Sequence, residues 1–171
     1  MDYNSETLSA AWTEGPQLPS SRPVHWLTFD PLRGKFICRK LDKEWSSLVG
    51  VIVRFLPIRV PPDRNGNIAC ASEDRITASR GRRGRLCADC SDYHTRCTVR
   101  WRIWLEEPEQ GVLYAMNLSP ADSVSFARYA GELETQGYLP GEVLTEMFVA
   151  HYGCRRCSLT YNHIVFERRE K

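Results

Sequence analysis

The chain is poor in the features that would take it to a membrane or out of the cell. Its first residues hold no cationic stretch followed by an apolar one. Its most apolar run, Leu48 to Val60, is interrupted by Arg54 and Arg59, so neither export nor membrane insertion is expected. A cytoplasmic protein, of a bacterium or a phage-infected cell, is the resulting expectation. Catalytic signatures are equally scarce. No G-x-x-x-x-G-K-[ST] loop is present to cradle a phosphate, and no H-x-E precedes a P-C-x-x-C as in zinc deaminases. Ser72, Ser119 and Ser123 lie in no nucleophile elbow, and Asp122 and Glu146 have no second carboxylate at a telling spacing. The chain is therefore not expected to be an enzyme. No internal repeat is visible.

With 171 residues, 42% of them hydrophobic and 26% charged, the chain is long enough to bury a core without a covalent or metal staple. The net charge of +2 conceals an asymmetry. Met1 to Gly15 holds only acidic charges, whereas Arg75 to Arg102 holds eight arginines against Asp89 and Asp92. A cationic stretch of that density favours an anionic partner.

Four of the seven cysteines fall between Cys70 and Trp104, together with those arginines, Trp101 and Trp104. Cys87 and Cys90 form a C-x2-C knuckle, a spacing that lets two thiolates approach one metal at about 2.3 Å. Cys70 and Cys97 flank it, and the four together are expected to make a closed tetrahedral Zn²⁺ site, structural and without an open position for chemistry. His94 is a candidate to replace one of the thiolates, which still leaves the site closed. Cys154 and Cys157 form a second knuckle and are alternative ligands, completing a two-knuckle ribbon with Cys87 and Cys90. The bland alternative is that some of these cysteines are small buried hydrophobes. Against it, the segment is too polar to order itself by apolar burial. An odd number of cysteines with two C-x2-C pairs also favours metal over disulfides in a reducing compartment.

Residues 1–22, with Ser5, Gly15, Pro16 and Pro19 and no apolar periodicity, read as an N-terminal arm. Residues 23–171 read as one domain interrupted by the zinc-binding insertion at about 68–98. His25 onward suggests a short hairpin turning at Asp30, Pro31 and Gly34. Leu48 to Val60 reads as a long strand, with Gly50 marking a bend and Pro57 an edge or kink. In Thr98 to Glu106, period-two alternation puts Val99, Trp101, Ile103 and Leu105 on one face and Thr98, Arg100, Arg102 and Trp104 on the other. A strand follows over Val112 to Leu118. Ser119 as N-cap, Pro120 as first residue and Asp122 three residues after the cap then predict a helix to about Gln136, ended by Gly137. Val143 to Tyr152 reads as either helix or strand, with the alternation of Val143, Thr145, Met147 and Val149 against Leu144, Glu146, Phe148 and Ala150 favouring a long strand, and Tyr161 to Glu167 closes the domain. The class is mostly β (α+β), and a small OB-like barrel with one helix and an inserted zinc-ribbon-like segment accommodates this order.

The run C-A-S-E-D from Cys70, C-A-D-C from Cys87, Cys97, then Y-A-M-N-L-S from Tyr114 and the helix at Ser119 resembles phage and bacterial single-stranded-DNA-binding-like proteins. These are OB folds with a cysteine cluster inserted between strands. In architecture the chain is also similar to the zinc-ribbon-bearing OB domain in the large subunit of eukaryotic replication protein A. The resemblance covers about residues 25–167 in element order, and Cys154 with Cys157 departs from it. It implies a zinc-stabilised protein that binds single-stranded DNA or RNA in replication, recombination or defence. Arg80, Arg82, Arg83 and Arg85, interleaved with Gly81 and Gly84, suit phosphates through bidentate guanidinium contacts, although a solvated charged loop explains them as well. Arg100, Arg102 and Trp104 are the further candidate contacts. Two roles are open to Trp104, a base-stacking platform or a core residue beneath the helix. The alternative function is a zinc-containing protein–protein adaptor or small subunit of a larger nucleoprotein complex.

Overall fold

The computed structural model describes residues 22–60, 70–72, 77–78, 84–90, 97–153 and 160–170. The expected arm up to residue 21, Arg80, Arg82, Arg83, His94, Cys154 and Cys157 lie outside the described residues. Arg22 does not belong to the arm, because its guanidinium is paired with Glu106 at 2.5 Å.

The strands run, in chain order, β1 (Val24–Trp26), β2 (Thr28–Asp30), β3 (Lys35–Cys38), β4 (Lys43–Trp45), β5 (Ser47–Val60), β6 (Thr98–Glu106) and β7 (Leu113–Asn117). The helix α1 (Pro120–Thr135) follows, and β8 (Leu144–Gly153) and β9 (Thr160–Arg169) close the chain as a hairpin. Six strands form one sheet in the order β1-β7-β6-β5-β8-β9, and β2-β3-β4 form a smaller antiparallel one. β1 lies parallel to β7, and every other neighbouring pair is antiparallel. The expected mostly β class with one helix is what forms. The sheet, however, is open: β1 and β9 end the strand order, and among the described residues no pairing joins them into a closed barrel.

β5 is the strand on which the sheet turns. Its first residues, Ser47–Val51, pair with β8, and Val51–Val60 pair with β6, with a register irregularity between Ile52 and Arg54. Such a bulge raises local twist, which lets one strand serve two partners. Gly50 is required at the bend, since a Cβ there would come within 2.6 Å of the Glu106 carbonyl oxygen. Pro57 is tolerated because it shares the parity of Arg59, whose amide points away from β6 and donates to the Ser72 carbonyl at 2.8 Å.

α1 forms as its capping residues predict. The Asp122 amide donates to Ser119 Oγ at 3.1 Å, and Gly137, at φ +79°, ends the helix. Phe126, Tyr129, Ala130 and Leu133 make its buried stripe and meet Phe55, Trp101 and Phe166 in edge-on aromatic contacts around Phe126. The N-terminus of α1 is tied to two strands: the Ile164 amide donates to Asp122 Oδ1 at 2.8 Å and the Trp101 amide to Ser123 Oγ at 3.2 Å. The small sheet covers the rest of this core with Phe36 and Cys38, both fully buried. Its β2–β3 turn is fixed by Asp30 Oδ1, which accepts from the Leu32 and Arg33 amides at 3.0 and 3.2 Å. Asn162 Nδ2 also donates to the Pro31 carbonyl at 2.7 Å.

Candidate nucleic-acid interface

The register of β5 against β6 sorts side chains onto two faces. Phe55, Pro57 and Arg59 stand opposite Ile103, Trp101 and Val99 on the face that α1 covers. Arg54, Leu56, Ile58 and Val60 stand opposite Trp104, Arg102, Arg100 and Thr98 on the other. The alternation expected for β6 is therefore present, with Trp101, Ile103 and Leu105 in the main core. β7 adds Ala115 and Asn117 to the outer face beside Trp104 and Arg102, and β1 adds Trp26 beside Ala115.

On this outer face the cations and rings interleave. Arg54 stands over the Trp104 ring, 5.1 Å from its centre. Arg102 stands over both Trp26, at 5.2 Å, and Trp104, at 5.9 Å, distances at which a guanidinium is attracted to a π-face. Arg102 Nε also donates to Asn117 Oδ1 at 2.7 Å, which orients its plane. Neither expected role for Trp104 is the one it has. It is only 8% exposed, so it is no free platform, and it is buried by Leu113, Ala115 and its arginine neighbours rather than by α1. Arg102, at 7% exposed, is likewise part of the scaffold.

The accessible ring is Trp26, 49% exposed at the end of this row. Sequence reasoning missed it, and it missed Arg54. The available signals were the alternation His25-Trp26-Leu27 and the parity that Arg54 shares with Leu56 and Ile58, but neither tells which face meets solvent. Arg100 is half-buried, its Nε donating to Thr98 Oγ1 at 3.2 Å, and desolvation pulls its pKa below the ordinary arginine value. Among the described residues neither Arg54 nor Arg100 has a carboxylate within ion-pair distance. The acid at the end of β6, Glu106, is already paired with Arg22. The arrangement thus offers anion-seeking guanidinium groups beside a half-exposed indole.

The cysteine-rich segment begins against this face. Ser72 and Arg59 exchange backbone hydrogen bonds at 2.8 and 2.9 Å, and Ala71 packs on Ile58 and Val60 beside Arg100. Thr77 bridges Leu86, and the Ala78 amide donates to the Arg85 carbonyl at 2.9 Å. Arg85 turns back, its Nη2 donating to the Asp89 carbonyl at 2.9 Å. The knuckle itself is a single 3-10 turn over Cys87–Asp89, closed by the Cys90 amide on the Cys87 carbonyl at 3.0 Å. Cys70, Cys87, Cys90 and Cys97 are each half-buried. They are not gathered: among the described residues no three of His, Cys, Asp and Glu come together as a group able to hold a metal ion. Cys38 is fully buried in the core as a small hydrophobe.

Among the described residues, no helix is long and apolar enough to cross a membrane. No protein-family model, curated protein or solved structure matches this chain.

Proposed function

We propose that the protein binds single-stranded nucleic acid along the outer face of β5, β6, β7 and β1. The observation that carries this reading is the co-placement of Arg54 and Arg100, without carboxylate partners among the described residues, with the half-exposed Trp26. Guanidinium groups take phosphates, and an indole face stacks a base without reading its identity, so the combination suits a flexible single strand better than a duplex. The strand order supports the same reading. We take β5, β6, β7, α1, β8 and β9 as an OB-type barrel left open, with the long bent first strand shared between the second and fourth strands and the helix between the third and fourth. In that fold oligonucleotides bind the face of strands two and three, here β6 and β7, and the loops after strands one and four. Those loops are the ones that carry the two cysteine knuckles in this sequence.

Zinc belongs to the proposal as a structural staple of the insertion, through the Cys87–Cys90 knuckle. It takes no part in chemistry. The test is fluorescence anisotropy of a labelled oligonucleotide against salt: binding that weakens steeply between about 50 and 200 mM salt supports phosphate contact. Absence of salt-sensitive binding even at low salt favours the adaptor.

A further inference from the structure

The chain also carries a sequence segment of opposite charge to the outer face. Residues 1–21 enter the fold at Arg22, whose guanidinium grips Glu106 at the end of β6, next to β1 and Trp26. Their only charged side chains are Asp2, Glu6 and Glu14, and they also carry Trp12. We propose that this acidic segment is an internal competitor that docks on the face of Trp26, Arg54 and Arg100 and that nucleic acid must displace. The docking rests on charge and reach alone, whereas its competitive role rests on the nucleic-acid reading above.

Reach is ample. β1 and β5 are three strand spacings apart in the sheet, about 14 Å at roughly 4.8 Å each. Glu14 precedes Arg22 by eight residues, which extend to about 26 Å, and Glu6 and Asp2 reach farther still. A tether of this length holds the segment near the face at an effective concentration in the millimolar range. Contacts between exposed charges are weak, so docking at that concentration is partial and yields to a polyanion with many phosphates. The segment mimics the ligand with carboxylates in place of phosphates and Trp12 in place of a base. It discriminates against short or weakly charged anions, which cannot repay its displacement.

The experiment uses the full chain. Asp2→Asn, Glu6→Gln and Glu14→Gln are combined in one variant, and the same change of charge is made at the exposed Glu109, Glu132 and Glu134 in a control. Without nucleic acid, the indole N–H resonance of Trp26, assigned with Trp26→Phe, shifts in the arm variant and stays in place in the control. With labelled oligo-dT at low salt, the arm variant binds about two- to ten-fold more tightly than wild type, and the difference closes as salt rises. An unmoved Trp26 resonance overturns the docking whatever the oligonucleotide does. A shifted resonance with equal affinities, or equal tightening in the control, overturns the competition. A shifted resonance with no oligonucleotide binding by any of the proteins upholds the docking and removes the nucleic-acid reading instead.

Discussion

The guanidinium of Arg102 lies 5.2 Å from the centre of the Trp26 ring, although the two residues stand on strands separated by β7. That contact holds the half-exposed indole by one of its faces at the rim of the outer face. Trp104 lies inside the same row, under Arg54 and Arg102. The two tryptophans therefore fail differently when removed.

Trp26→Ala is expected to weaken binding of a single strand by about 1–3 kcal/mol, the range for one stacked base, with little change in the salt slope because stacking releases no counterion. Its thermal stability should stay close to wild type, since the ring is half exposed. Trp104→Ala empties a buried site and should cost about 3–5 kcal/mol of stability. Anisotropy and thermal unfolding on both variants separate the roles. Loss of binding without loss of stability in Trp104→Ala would reverse the assignment.

Arg54→Glu and Arg100→Glu should each weaken binding to every sequence and lower the salt slope by about 0.7, the share of one phosphate contact on a single strand. Reversing Arg80, Arg82 and Arg83 together tests the arginine-rich stretch in the same assay. Arg85→Glu is expected to change the slope least, because Arg85 spends its guanidinium on the Asp89 carbonyl. A slope unmoved by Arg54→Glu and Arg100→Glu would take the outer face out of the interface.

Asp122 is 2% exposed, and its two carboxylate oxygens serve the Ile164 amide and the Ser119 hydroxyl. Asp122→Ala leaves those buried donors without a partner and should cost about 3 kcal/mol in chemical unfolding. Asp122→Asn keeps one carbonyl oxygen for Ile164 and an amide that can donate to Ser119, and should recover most of the loss. Equal destabilisation by both would mean that the carboxylate charge at the helix start matters more than the two hydrogen bonds.

Metal analysis of purified protein decides the cysteines. About one zinc per chain is expected, lost together with thermal stability in Cys87→Ser with Cys90→Ser, because ligand binding energy is folding energy in a stapled segment. Cys154→Ser with Cys157→Ser tests the two-knuckle ribbon: loss of metal there excludes Cys70 and Cys97 as the completing pair. Retention of zinc in that variant would instead require Cys70 and Cys97 to close in on the knuckle from the places they hold here.

Whatever depends on neighbours a few residues apart is legible in the order of residues. Ser119, Pro120 and Asp122 specified where α1 begins, Gly137 where it ends, and period-two alternation specified which β6 residues share a face. The turn at Asp30–Gly34 and the hairpin of β8 and β9 were legible for the same reason, since turn chemistry and strand periodicity are short-range. Tertiary structure alone decided what each face meets. β1 joins β7 in parallel from far along the chain, and no local pattern encodes that pairing or the exposed position it gives Trp26. Trp104 is buried because Arg54, Arg102 and Ala115 converge on it from β5, β6 and β7, so its exposure is a property of three strands together. The sheet stays open for a similar reason. β1 and β9 end the strand order, and the Ile164 amide on the free side of β9 is taken by Asp122 at the start of α1. Alternation records which side of a strand a residue occupies, whereas exposure and closure depend on what the rest of the chain lays against that side.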